Sequence, residues 1–199
     1  MPPHADLQDI SGRLERGEID SPEYLKQLTR FVAALIGCSR AGVRVFIDTH
    51  HGRTLRSVAM FDATLGRMVA APDMHTANDG PYFQHLKHDG FVSVAHAQAS
   101  PVTAELLNEY LRPADVSSLM DMCFSVNGVL FGTFSCEQVG APVDWSQRQL
   151  QTLRKIASRA SLSLMHAVSA SVDTAPGALW EASTPNRLAT MPMPLDLLK

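Results

Sequence analysis

Cysteine is scarce and odd in number. Cys38, Cys123 and Cys136 are the only three in 199 residues, and no two stand in a CxxC spacing. That excludes a disulfide framework and the usual zinc signatures. No apolar run reaches the roughly 18 residues that would suggest a bilayer span, and no charged-then-apolar leader opens the chain. A reducing cytoplasm is the expected location. Charge of one sign is lacking too: 17 Lys and Arg against 20 Asp and Glu leave a net charge of −3. No nucleic-acid or membrane-surface partner is expected. The nearest thing to a basic patch, Arg148, Arg154, Lys155 and Arg159, reads as the solvated face of one helix.

What is present is 45% hydrophobic residues, enough for one domain with a core. The organising stretch is DVSSLMDMCFSVNGVLFGTFSCEQ, Asp115 to Gln138. Asn127-Gly128 accepts the positive φ angles of a two-residue hairpin turn and pairs Val126 with Val129. Carried on without interruption, that register puts Val116, Met120, Met122, Phe124 and Val126 opposite Val129, Phe131 and Thr133 on one face. Leu119, Asp121 and Cys123 share the other with Gly132 and Phe134. Both faces are largely apolar, as for a central strand pair covered on each side. Cys136 falls opposite Leu119, too far along the strands from Cys123 for a disulfide.

Upstream, Leu7, Ile10 and Leu14 recur at helical spacing within an extension, residues 1–20. Ser21, Pro22 and Glu23 open a stronger helix that ends at Gly37. Strands follow at Gly42–Asp48, Thr54–Phe61 and Arg67–Ala71. After a polar stretch, Asp73 to Gly80, come a short helix from Pro81, a strand at Phe91–Ala95 and a helix over Val102–Leu111. Asp144, with Gln147 in capping-box spacing, precedes the longest helix, whose Leu150, Leu153, Ala157, Ala160, Leu164 and Ala167 form a stripe. Residues 171–199 carry Pro176, Pro185, Pro192 and Pro194 and read as a disordered or docking tail.

The element order resembles that of a GAF domain, and so do the residues. GPYFQHL and FVSVAHAQASPVTAELLNEYL are similar to the middle of bacterial GAF sensors. DVSSLMDMCFSVNGVLFGTFSCEQVGAPVDWSQRQL is similar to their last two strands and final helix. The resemblance implies an α+β fold over residues 21–170. Its parts would be a central antiparallel sheet of about six strands, terminal helices on one face, and short helices and loops forming a ligand pocket on the other. It implies a non-enzymatic small-molecule sensor, of the kind found upstream of histidine kinases and diguanylate cyclases, acting through its terminal helices. A signalling partner protein is expected. No cofactor is specified. The Asn-Lys, Phe, Asp-Glu signature of cyclic-nucleotide GAF domains is missing, and Pro72 to Arg112 holds no cysteine of the bilin-binding kind. One alternative is a GAF-shaped interaction module without ligand. Another is a redox enzyme of the free methionine sulfoxide reductase type, against which the scattered cysteines argue.

The expected pocket residues are Met74, His75, Tyr82, Phe83, Leu86, Phe91, Val94, Met120, Asp121 and Met122. Asp121 is the odd one, a carboxylate in an apolar strand, either a structural acceptor or a ligand contact. His85 and His88 share a helix turn but lack the further ligands of a closed metal site, so no metal is expected. A parallel homodimer through the terminal helices is expected at Leu28, Phe31, Leu35, Ile156, Leu162 and Met165.

Overall fold

The computed structural model describes residues 6–49, 52–76 and 80–172. The tail expected over 171–199 lies, from residue 173 on, outside the described residues, as do His50 and His51. Seven strands form one antiparallel sheet: β1 (Arg40–Thr49), β2 (Gly52–Asp62), β3 (Arg67–Met68), β4 (Met74–Thr76), β5 (Phe91–Val94), β6 (Val116–Val126) and β7 (Val129–Val139). Their order is β3-β2-β1-β7-β6-β5, with β4 also on β2. The strand missed from sequence is β4. Its three residues pair with Arg53, Thr54 and Leu55 inside a stretch whose polar composition reads as turn.

Three helices cover one face: α1 (Leu7–Glu15), α2 (Ser21–Ile36) and α4 (Gln147–Val172). Asp20, not Ser21, caps α2, accepting from the Glu23 N–H at 2.9 Å, and Gly37 closes it at φ 76°. A glycine meets that left-handed angle without a Cβ clash. The box at the start of α4 is Ser146 with Gln149 rather than Asp144 with Gln147: Ser146 N–H donates to Gln149 Oε1 at 2.8 Å, and Gln149 N–H to Ser146 Oγ at 3.2 Å. Leu7, Ile10 and Leu14 of α1 are buried in the same core as α2, α4 and the sheet.

Of the residues expected at a dimer interface, Leu28 and Ile156 lie inside this core. The apolar stripes of α2 and α4 face the sheet and each other, which leaves those two no outward surface. Leu35 and Leu162 are 52% and 68% exposed, and Phe31 and Met165 are half-buried.

The other face carries α3 (Pro81–Asp89) and a helical segment, Pro101–Leu111, a 3-10 turn running into a π turn at Leu107 rather than the continuous α-helix its apolar spacing suggests. Glu105 joins the two pieces, its Oε1 accepting from the Tyr82 N–H at 3.2 Å in the first turn of α3. That carboxylate occupies the space a Cβ at Gly80 would need.

The hairpin decides what faces what. Val126 pairs with Val129 and Ser125 with Leu130, as the turn dictates, but Phe124 pairs with Gly132. A bulge at Phe131 therefore shifts the register by one, and Cys136 faces Met120 instead of Leu119. Beyond the bulge Phe134 and Cys136 join Met120 and Met122 in the helix-side core, while Thr133 pairs with Cys123 and Ser135 with Asp121. A second irregularity between Val116 and Ser118 moves Val116 to the opposite face from Met120.

Gly132 is the closest approach to backbone, since a Cβ there would lie 2.1 Å from the Arg44 carbonyl oxygen and 2.9 Å from the Phe124 ring. Backbone cannot yield as a side chain can. Gly132→Ala is expected to destabilise the fold by about 1–3 kcal/mol. Urea denaturation reads this directly, and a loss within about 0.5 kcal/mol, ordinary for a surface change, would contradict the close approach.

Candidate functional site

Strand alternation places Arg44 and Phe46 of β1, Leu119, Asp121 and Cys123 of β6, and Thr133, Ser135 and Glu137 of β7 on the face beneath α3 and the 101–111 segment. At its centre Arg44, Asp121, Thr133, Ser135 and Glu137 are all fully buried. Two tyrosines from the covering layer reach down to them. Tyr82, on α3, donates its hydroxyl to Asp121 Oδ2. Tyr110, in the π turn, donates to Glu137 Oε1 and accepts from Arg44 Nη2. Arg44 also pairs with Glu137 Oε1 at 3.2 Å, bonds the Pro72 carbonyl at 2.9 Å, and sits with Cζ 4.7 Å from the Tyr110 ring centre. A π turn re-aims side chains relative to an α-helix, and here it carries the hydroxyl that joins cation to carboxylate.

The electrostatics follow from burial. Desolvation works against the Arg44 cation, but the Tyr110 hydroxyl and the Glu137 carboxylate beside it prevail and hold its pKa above the usual value. Burial lifts the Asp121 pKa to about 6, opposed by the Tyr82 hydroxyl and by nearby Ser135. Ser135 is close enough to ease the charge without reaching hydrogen-bond geometry, since its Oγ and Asp121 Oδ1 both lack partners. Tyr82 and Tyr110 are pushed well above the ordinary phenol range, first by burial and then by their carboxylates. Burial, then Asp121, takes the Cys123 thiol to about 12, and the thiol donates to the Leu86 carbonyl at 3.4 Å.

The expected pocket residues divide between the two faces. Met74, Tyr82 and Leu86 are buried on the polar-patch face, and Val94 packs beside them. Phe83 is buried with its ring edge-on to Phe46, centres 5.7 Å apart. His75 is exposed and shares a hydrogen bond with Thr54 Oγ1 at 3.1 Å. Phe91, Met120 and Met122 are on the helix side, Phe91 beneath the Arg154 guanidinium at 5.5 Å. Neighbours on a strand point to opposite faces, so Asp121 cannot share a pocket with Met120 and Met122.

Arg44, Tyr110, Thr133, Ser135 and Glu137 escaped the sequence reading. A charged residue amid the apolar GVRVFID was a usable signal for Arg44. The rest of the set was hidden by the bulge and the π turn.

Among the described residues no cluster of three or more His, Cys, Asp or Glu side chains could hold a metal ion. His85 Nδ1 lies 2.7 Å from Asp89 Oδ2 on the surface. The cysteines are less scattered than the sequence suggests. Cys38 leads into β1, where Ala41 is the register partner of Cys136, and contact with Cys38, together with burial, raises the Cys136 pKa. Both thiols lie in the helix-side core, across the sheet from Asp121. No helix among the described residues is long and apolar enough to cross a membrane.

The sheet covered by terminal helices on one side and short helices on the other is the architecture of a sensor-domain family. The GAF domain family profile matches residues 20–164, and the chain belongs to that family. No curated protein matches the sequence. Solved structures share the fold. A phycocyanobilin-bound GAF domain from a cyanobacterial phytochrome has a TM-score of 0.58 and 16% identity, over 86% of this chain and 98% of that one. The blue-light-absorbing form of the Thermosynechococcus elongatus PixJ GAF domain has a TM-score of 0.53 and 16% identity, over 82% and 95%. The chromophore-binding domain of the Stigmatella aurantiaca bacteriophytochrome has a TM-score of 0.58 and 15% identity, over 80% and 58%.

Proposed function

We propose that this chain is a non-enzymatic sensor domain that binds a small polar molecule over the Asp121 patch and reports it through its terminal helices. One observation carries the reading. Arg44 Nε, Asp121 Oδ1, Thr133 Oγ1, Ser135 Oγ and Glu137 Oε2 are all buried without a hydrogen-bond partner, and they share one patch of one sheet face. A lone orphan of this kind costs about 1–3 kcal/mol. Five together in a family built to hold ligands favour an occupant that satisfies them. The related domains of known structure include one bound to phycocyanobilin. Here Tyr82 and Tyr110 close over the patch and the Cys123 thiol stays protonated, which favours something smaller and non-covalently held.

The report would run through β6. Asp121 faces the ligand, while Met120 and Met122 on either side of it face the helical layer. A shift of this strand is then felt by α4, and a homodimer through exposed Leu35 and Leu162 would carry it onward.

Thermal-shift screening against small polar metabolites tests the reading. A saturable rise in Tm that disappears in Ser135→Ala supports it. If no compound shifts the wild type, and Ser135→Ala and Thr133→Val both raise Tm by removing unpaired hydroxyls, the patch is inert core and the interaction-module reading replaces it.

A further inference from the structure

The helical layer carries a groove on the far side of the sheet from the Asp121 patch. It lies where α1, α2 and α4 meet and measures about 250 Å³. Leu7, Phe31, Leu35 and Ile156 line it with apolar surface, and Lys155 and Arg159 stand over it one turn apart on α4. Among the described residues neither cation has an ion-pair partner. Asp6 is the one acid among the lining residues, and its Oδ1 already accepts from the Asp9 N–H at 2.9 Å as the cap of α1. Pockets for drug-sized ligands start at about 300 Å³. This one suits a single large apolar side chain, with an acid beside it for the two cations.

The chain itself supplies that combination. Past Val172 it reads DTAPGALWE, in which Leu179 and Trp180 are followed by Glu181. The lengths agree. Val172 ends α4, and at 1.5 Å per residue Arg159 lies about 20 Å and Ile156 about 24 Å back along the axis. Trp180 is eight residues past Val172, and an extended chain covers about 25–28 Å in that length. Pro176 and the residue before it favour extended backbone. Returning along α4, the segment brings Trp180 level with Ile156 and Glu181 level with Lys155 and Arg159. Leu195 and Asp196 repeat the pattern without the aromatic ring, and they would have to close a much longer loop, at greater cost in entropy.

We propose that residues 179–181 dock in this groove, with the Trp180 ring against Phe31, Leu35 and Ile156 and the Glu181 carboxylate between Lys155 and Arg159. Docking takes Leu35 from the proposed homodimer, so the segment and a second copy compete for that surface. The site does not depend on the sensor reading of the Asp121 patch.

The test uses tryptophan fluorescence of the full chain. Trp145 and Trp180 are its only tryptophans, so subtracting the emission of Trp180→Phe from that of the wild type leaves the spectrum of Trp180. That spectrum is expected to be blue-shifted from free tryptophan and unchanged on dilution. The double variant Lys155→Glu/Arg159→Glu, at two exposed positions, should return it to that of free tryptophan with the circular dichroism unchanged. Adding Glu181→Lys to the double variant should restore the blue shift. The proposal is overturned if Trp180 of the wild type emits like free tryptophan, if charge reversal leaves its spectrum unchanged in a folded protein, or if Glu181→Lys fails to restore it. It is also overturned if the blue shift is lost on dilution, which would make the docked segment that of a second copy.

Discussion

Replacing Arg44 with methionine is expected to cost about 3–5 kcal/mol of folding stability, because it leaves the Glu137 carboxylate buried without its counter-charge. Both side chains have no solvent exposure, so water cannot take over from the guanidinium. Arg44 also carries the bond to the Pro72 carbonyl and accompanies Tyr110, and that loosens the connection between sheet and covering layer as well. The double variant Arg44→Met/Glu137→Leu is expected to recover most of the loss. The two charges are costly chiefly when separated, and an apolar pair of similar bulk is often no less stable than a buried ion pair. Urea denaturation of the wild type, both single variants and the double closes a thermodynamic cycle. A single-variant loss below about 1 kcal/mol, the range of an exposed pair, would mean that the ion pair is not held away from water.

The second large effect is a pH dependence of unusual sign. The native pKa of Asp121 is raised to about 6 from an ordinary value of 3.8. The native state therefore binds the proton more tightly than the unfolded chain, and stability falls as pH rises between about 4 and 6. A rise of that size is worth about 3 kcal/mol, present in full below about pH 4 and lost above about pH 6. Carboxylates such as Asp62 and Glu23, whose pKa values are lowered in the fold, slope the other way. Subtracting the curve of Asp121→Asn cancels them, and the asparagine can still accept from Tyr82. Relative to wild type, the variant should gain about 3 kcal/mol between about pH 4 and pH 7. A difference curve flat across that window would place Asp121 in contact with water.

Most of the architecture was legible in the sequence because its signals are local. Asn127-Gly128 marked the hairpin, Gly37 ended α2 where expected, and the three-four spacing of Leu150 to Ala167 gave α4 its buried stripe. Of the site, only Asp121 and Tyr82 were legible. The partners of Asp121 arrive from four other places in the chain: Tyr82 on α3, Tyr110 on a π turn, Arg44 on β1, and Ser135 and Glu137 on a strand whose register breaks. Periodicity carries a face along one element, but it does not announce where that element skips a residue. Met120 and Met122, chosen for their softness, lie on the side of the sheet away from the carboxylate between them by strand alternation alone. On the helical side, Leu28 and Ile156 are buried because the stripes of α2 and α4 face the sheet and each other, a pairing that the spacing within each helix does not announce.

The bulge at Phe131 also bears on how this chain is compared with its relatives. Two hairpins superimposed from the Asn-Gly turn outward stay in step only as far as Leu130. If one of them lacks the extra residue, every later position is matched to a side chain on the wrong face. Thr133, Ser135 and Glu137 would then be aligned with core hydrophobes, and Phe134 and Cys136 with pocket residues. Pairwise comparison should therefore be anchored at the base of the hairpin, on Asp121 and Ser135, and the gap placed at residue 131.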